Sequence, residues 1–187
     1  VWQVDAQGIP SLTTELPDIC NGPCVSLFVH DSTAWIATKS GVLPVDLSQP
    51  TEPLAGAPYL NIGLGEPWNV AALDDKLVIS YQSVAAGKSY LEAVSMSQDG
   101  VYESLGFAVF EAEPPTLETT PFGFVMGRPD GHLCFMDWEG QGCVEESAID
   151  ADSMTSKLYY EDGYLFFGGV SGLSAIRVAG CLEAPQP

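Results

Sequence analysis

The side chains able to do chemistry in this chain are mostly carboxyls, and they are scattered. Asp and Glu number 25 against six Lys and Arg, and there are two histidines, His30 and His132. A hydrolytic Ser–His–Asp set needs its serine on a sharp turn between strand and helix. The nearest stretch, Gly169-Val170-Ser171-Gly172, lacks that frame. His132 follows a turn at Asp130-Gly131. His30 ends an apolar run before Asp31, whose carboxyl is placed to hold the imidazole. Both histidines read as structural rather than catalytic. Glycoside hydrolysis needs two carboxyls at a set separation across a cleft. Glu66, Asp74, Asp75, Glu92, Asp130, Asp137, Glu139, Glu145 and Glu146 qualify by type, but spacing selects no pair among them. Trp68 and Trp138 are the right type for sugar platforms, yet a Trp near a strand end more often packs between sheets. Accordingly, no catalytic and no cofactor-binding residue is assigned.

Calcium is the one metal the sequence suggests. Asp150-Ala151-Asp152-Ser153 opens like an oxygen-ligand loop, with Glu161 at the twelfth place. The sixth place, which needs glycine, is Thr155, and the fifth is Met154, which offers only a backbone carbonyl. This excludes an EF-hand and leaves an irregular structural calcium site on Asp150 and Asp152. No other cofactor is expected. Gly63-Leu64-Gly65-Glu66 puts a carboxyl where a phosphate would sit, so it is a turn rather than an anion cradle.

The five cysteines point to an oxidising compartment. Cys20 and Cys24 bracket a three-residue spacer, one residue longer than redox catalysis uses. Cys134 and Cys143 flank a hairpin-like stretch. Both pairs are close enough in sequence for local disulfides, although spacing alone does not fix connectivity. Cys181 is left over, free or bonded to another chain. Two histidines and a single short cysteine pair are too few for a zinc site.

Composition narrows the partners. A formal net charge of −19 over 187 residues repels nucleic acid and anionic membrane, and the few basic residues form no cluster. No apolar stretch approaches the roughly 20 residues of a spanning helix, so no membrane insertion is expected. The chain opens at Val1 in what already reads as a strand, which is expected of a processed or cleaved polypeptide. The expected localisation is secreted, periplasmic or cell surface.

The elements that must position these residues repeat. Four segments share one order: apolar run, acidic turn, apolar run. They are Val25 to Thr38, Trp68 to Tyr81, Phe122 to Asp137 and Lys157 to Gly168, with Asp31, Asp75, Asp130 and Asp162 at the turns. Their period and turn chemistry are those of β-hairpins. Third strands follow at Gly41–Ser48, Tyr90–Met96 and Leu173–Val178, with a weaker one at Gly142–Glu146. Fourth strands are expected at Leu12–Leu16, Glu52–Ala55 and Tyr102–Phe110, and Val1–Asp5 has the same character. Small antiparallel sheets repeating every 40–50 or so residues predict an all-β fold, a β-propeller. The repeat units run over about 24–62, 65–111, 121–150 and 157–181. A plain β-sandwich would explain the strands but not their repeated order. Four to five small antiparallel blades fit the length, as a whole small ring or as a partial ring completed by another chain or segment.

The stretch Gly41-Val42-Leu43-Pro44-Val45-Asp46-Leu47-Ser48-Gln49-Pro50-Thr51-Glu52-Pro53-Leu54 resembles the repeat of bacterial and archaeal cell-surface propellers of the LVIVD type. There an apolar strand, here Ala34 to Thr38, precedes a Gly-led strand ending in Asp, a hydroxyl residue and a Pro-rich turn. Val94 to Gly100 echoes that strand end without the proline, and Val4 to Gly8 echoes it more faintly. The match covers about twenty residues of a degenerate motif. It implies a surface scaffold and no activity. The functional expectation is an acidic propeller that holds a protein partner. The alternative is a secreted hydrolase or lyase on the same fold, acting on a neutral or cationic substrate such as a polysaccharide.

Overall fold

The computed structural model of the chain describes residues 2–4, 10–12, 24–97, 100–111, 114–120, 123–128, 132–136, 145–148, 154–169 and 172–178. Every regular element among them is a β-strand. β1 (Trp2–Val4) and β2 (Pro10–Leu12) pair as a two-stranded ribbon. Four antiparallel sheets then follow in chain order, each a simple meander. The first holds β3 (Cys24–His30), β4 (Thr33–Thr38), β5 (Gly41–Asp46) and β6 (Leu54–Ala55). The second holds β7 (Glu66–Leu73), β8 (Lys76–Ser83), β9 (Lys88–Met96) and β10 (Tyr102–Phe110). The third holds β11 (Thr116–Thr120), β12 (Gly123–Gly127), β13 (His132–Met136) and β14 (Glu145–Ala148). The fourth holds β15 (Met154–Glu161), β16 (Tyr164–Gly169) and β17 (Gly172–Arg177).

Period-two alternation decides which neighbour each sheet meets. On β8, Leu77, Ile79 and Tyr81 face the first sheet and pack with Trp35, Ala37 and Val42. The intervening Val78 faces the third sheet, beside Leu91, Leu117 and Phe124. Val125, Leu133 and Phe135 on the other side of the third sheet meet Leu158, Leu165 and Phe167 of the fourth. The inner sheets are thus apolar on both faces, as their near-continuous apolar runs require. The outward faces of the two end sheets are less covered. Leu27 and Val29 of the first sheet are 54% and 53% exposed, and Tyr159 and Leu173 of the fourth are 55% and 78% exposed.

One turn recurs. Among the described residues, those entering the left-handed region without being glycine are Asp31, Asp74 and Asp162, with φ of 52°, 52° and 50°. Each begins the two-residue link between the first and second strands of its sheet. Asp tolerates this conformation because its short side chain can bond locally. The next residue in each turn offers its carbonyl to the chain just at the end of the third strand. Leu47 N donates to Ser32 O at 2.6 Å, Met96 N to Asp75 O at 2.7 Å and Val178 N to Gly163 O at 2.8 Å. In three of the four segments read in the sequence the repeat is therefore one of backbone geometry; the turn at Asp130 lies outside the described residues.

The third sheet departs from the expected register. The Phe122 to Asp137 hairpin corresponds to β12 and β13, which are the second and third strands of that sheet. Its first strand is β11, whose Thr-Leu-Glu-Thr-Thr carries too little apolar alternation to be read as a partner. With β11 restored, the first strands of the four sheets end at His30, Leu73, Thr120 and Glu161, intervals of 43, 47 and 41 residues.

Candidate functional site

The four first strands β3, β7, β11 and β15 run side by side in sequence order and converge at their C-terminal ends on one cavity of about 510 Å³. Phe28 and His30 come from β3, Leu73 from β7, Glu118 and Thr120 from β11, and Tyr160 from β15. Packing between adjacent first strands is partly polar: Ser26 Oγ on β3 donates to Asn69 Oδ1 on β7 at 2.9 Å, and the same oxygen accepts Val70 N at 2.9 Å. A bulge stands beside each of these bonds, at Cys24/Ser26 and at Pro67/Asn69. It turns Trp68 outward, where it is 44% exposed.

Charge is distributed by end. At the cavity end lie Asp31, Asp74, Asp75 and Asp162 in the turns, Asp46 and Glu161 at the ends of β5 and β15, and Glu118 on β11. Among the described residues the basic ones at that end are Lys76 and Arg177, with His30 Nε2 3.7 Å from Asp31 Oδ2. At the other end, Lys39 and Lys88 are matched by Glu66 at 3.6 Å and Glu111 at 2.6 Å. Among the described residues, acidic side chains thus outnumber basic ones at the cavity end. Asp46 is held below the ordinary carboxyl range because its Oδ1 accepts Ser48 N at 2.8 Å.

Beside the cavity, on the same end, a groove of about 620 Å³ separates the first and second sheets. Trp35, Met96 and Tyr102 form its apolar lining, and Asp46, Asp74 and Asp75 stand along it. One wall is the segment following β6. Gly56 N donates to Pro44 O at 2.9 Å, and Tyr59 exchanges bonds of 2.7 and 2.9 Å with Val42. This segment passes so close to β5 that a Cβ on Gly41 would lie 2.5 Å from Tyr59 O, and Gly41 is at φ 133°. Only glycine fits there.

The segment is moored by a buried acid. Glu92 on β9 is fully buried, in line with Tyr90 and Val94 on the apolar face turned to the first sheet. Its Oε1 accepts Tyr59 Oη at 2.9 Å, Asn61 Nδ2 at 2.7 Å and Ser104 Oγ at 2.6 Å. Its Oε2 accepts Tyr81 Oη at 2.7 Å. Four donors meet one carboxyl, the condition under which an acid is tolerated in an apolar seam. Burial first, and then the adjacent Glu92, push the Tyr59 and Tyr81 hydroxyls well above the ordinary tyrosine value of 10.0. Tyr102 packs against Tyr59 in a tilted pair with ring centroids 5.3 Å apart, so the mooring also sets the groove lining.

The sequence-level candidates fall as follows. Asp150 and Asp152 lie outside the described residues, as do Trp138, Cys20, Cys143 and Cys181. Among the described residues no three His, Cys, Asp or Glu side chains are grouped so as to hold a metal ion. Cys24 and Cys134 are disulfide-bonded. His30 Nε2 lies 3.7 Å from Asp31 Oδ2, near it but beyond hydrogen-bond distance, and Gly63 and Leu64 form a turn, with Leu64 N donating to Asn61 O. Glu92 stood among many carboxyls without distinction. The available signal was its parity: Tyr90, Glu92 and Val94 share one face of a strand, and a carboxyl in that row must find donors. The donors themselves come from sequence positions 11 to 33 residues away, which no local pattern connects.

No family model matches the chain, and no curated protein matches it. Among solved structures, it is similar to the computationally designed Ika4 protein, at 14% identity, covering 87% of this chain and 95% of that one, with a TM-score of 0.56. It is also similar to a bifunctional GH43-CE protein from Bacteroides eggerthii, at 12% identity and a TM-score of 0.50. There it covers 86% of this chain and spans about a quarter, 24%, of the other. Likeness at such identities speaks to the fold alone.

Proposed function

We propose that the chain is a β-propeller of four to five small blades, or an arc of one, that acts outside the cytoplasm as an acidic scaffold for a protein partner. The observation that carries this reading is the single cavity lined by the first strands of all four sheets, with Asp-rich turns around its mouth. Radial strands and an acidic rim on one end make a docking face whose excess of described carboxyls favours a cationic surface. The partly exposed outward faces of the first and fourth sheets support a companion chain or segment that completes the ring. The LVIVD-type repeat fits the same reading through the Gly41-led β5, its terminal Asp46 and the Pro-rich turn after it.

Export is supported by the bonded state of Cys24 and Cys134, which we assign to the local pairs Cys20–Cys24 and Cys134–Cys143, with Cys181 free or joined to another chain. A structural calcium on Asp150 and Asp152 belongs to the same proposal. The hydrolase reading has less support. The described lining of the cavity holds one carboxyl, Glu118, beside His30, where a glycosidase needs two carboxyls.

A crystal structure together with any companion chain tests the arrangement. Sheets fanned about one axis are expected, and two sheets pressed face to face would end the propeller reading. Alkylation and mass measurement without reduction should find two internal disulfides; four or five free thiols would overturn the compartment. Crosslinking to a bound partner should map to Asp31, Asp74 and Asp162 rather than to Lys39 and Lys88, and the reverse map would remove the acidic face as the docking surface.

A further inference from the structure

We infer that the groove between the first and second sheets takes a lysine or arginine side chain from a cationic peptide, an inference that rests on the acidic-scaffold reading and names its point of capture. The groove has the two parts such a side chain needs. Trp35, Met96 and Tyr102 offer apolar and aromatic surface to the methylene stem and the cationic head. Asp46, Asp74 and Asp75 supply acceptors for charge-assisted hydrogen bonds. None of the described residues lining the groove is Lys, Arg or His, so its charge is unanswered from within.

The arrangement discriminates against other cations. The three carboxyls come from β5 and from the β7–β8 turn and are not grouped to hold a metal ion. Carboxyls spread along an apolar trough suit an extended organic cation better than a compact hard one. Asp46 stays ionised below the ordinary carboxyl range through its bond from Ser48, and so offers charge over a wide span of pH. The trough is also held in shape before any ligand arrives. Tyr102 is packed against Tyr59, and Tyr59 is bonded to the buried Glu92 and bridged to Val42. Little ordering is left for the ligand to impose.

The probe is hexalysine, measured by calorimetry on the full chain at about 0.15 M salt, where long-range charge effects are largely screened. Wild type should bind it, and fully acetylated hexalysine should not bind. Asp74→Asn with Asp75→Asn should weaken binding about tenfold, whereas Asp31→Asn with Asp162→Asn, the same charge change on the same end outside the groove, should weaken it less than about twofold. Asn keeps the left-handed turn conformation, so both variants should fold. On titration the Trp35 indole resonance should shift. Equal losses in the two double variants, a shift confined to Thr119 and Tyr160 of the central cavity, or no binding by wild type would each overturn the groove. The scaffold reading is judged separately, by the partner crosslinks and the arrangement of sheets.

Discussion

The seam between the first and second sheets and the seam between the third and fourth are built on the same plan and filled differently. Among the described residues the second of these is filled by apolar side chains: Val125, Leu133 and Phe135 meet Leu158, Leu165, Phe167 and Val178. The first has a comparable apolar body around Trp35, Val42, Leu77 and Ile79, but Glu92 stands within it, bonded to Tyr59, Asn61, Tyr81 and Ser104. Apolar packing is tolerant of position, because dispersion and burial have no direction. A carboxyl is not: it is stable only where its donors are. The polar seam fixes the 59–61 segment against one spot on β9, directly after Gly56 and Ala57, which with Tyr102 line the groove. The dry seam holds sheets together. The polar one also sets the shape of a surface.

The sharpest way to break this contrast is to empty each seam. Glu92→Ala should cost about 4 kcal/mol in urea unfolding, because it strands several buried donors at once. Phe167→Ala should cost a similar 3–5 kcal/mol or so, by cavity formation. The two should differ in coupling. Tyr81→Phe alone should cost about 2 kcal/mol and, in the Glu92→Ala background, almost nothing, since its partner is gone. A full cost in both backgrounds would show that the knot does not act as a unit.

Alkali should find the polar seam selectively. Tyr59, Tyr81 and Tyr102 are all raised above 10.0, each chiefly by burial. Above that value the unfolded chain gives up tyrosine protons that the folded chain keeps, so the unfolded state binds fewer protons and stability falls as pH rises. Their contribution is intact below about pH 10. Denaturation profiles from pH 8 to 11 should show this decline, reduced in Tyr81→Phe and unchanged in Phe167→Ala. Tyr59→Phe should cost only about 1 kcal/mol, since Tyr59 is partly buried and Asn61 still moors the segment. Hydrogen exchange at the Val42 and Tyr59 amides should nevertheless speed up, marking loss of the bridge between them. Asp74→Asn with Asp75→Asn should change stability by less than about 0.5 kcal/mol, because both side chains are exposed.

Much of the fold was legible because it is local. Apolar runs in Thr33–Thr38 and Lys76–Ser83, with Asp-led two-residue turns before each, predict hairpins from a handful of neighbours. The exception is instructive: β11 was unreadable since its Thr-Leu-Glu-Thr-Thr looks like loop, and only pairing with β12 makes it a strand. Trp68 shows the same limit, because a bulge rather than a residue type turned it outward.

The sequence by itself determined strand content, turn chemistry and the acidic excess, since each follows from side-chain type and from spacing over a few residues. Only the tertiary structure decided that four first strands share one cavity, that the described acidic side chains outnumber the basic ones at its end, and that Glu92 meets four donors drawn from three segments. Those outcomes depend on which sheet faces meet, and packing between faces is set by distances in space that no short window of sequence contains.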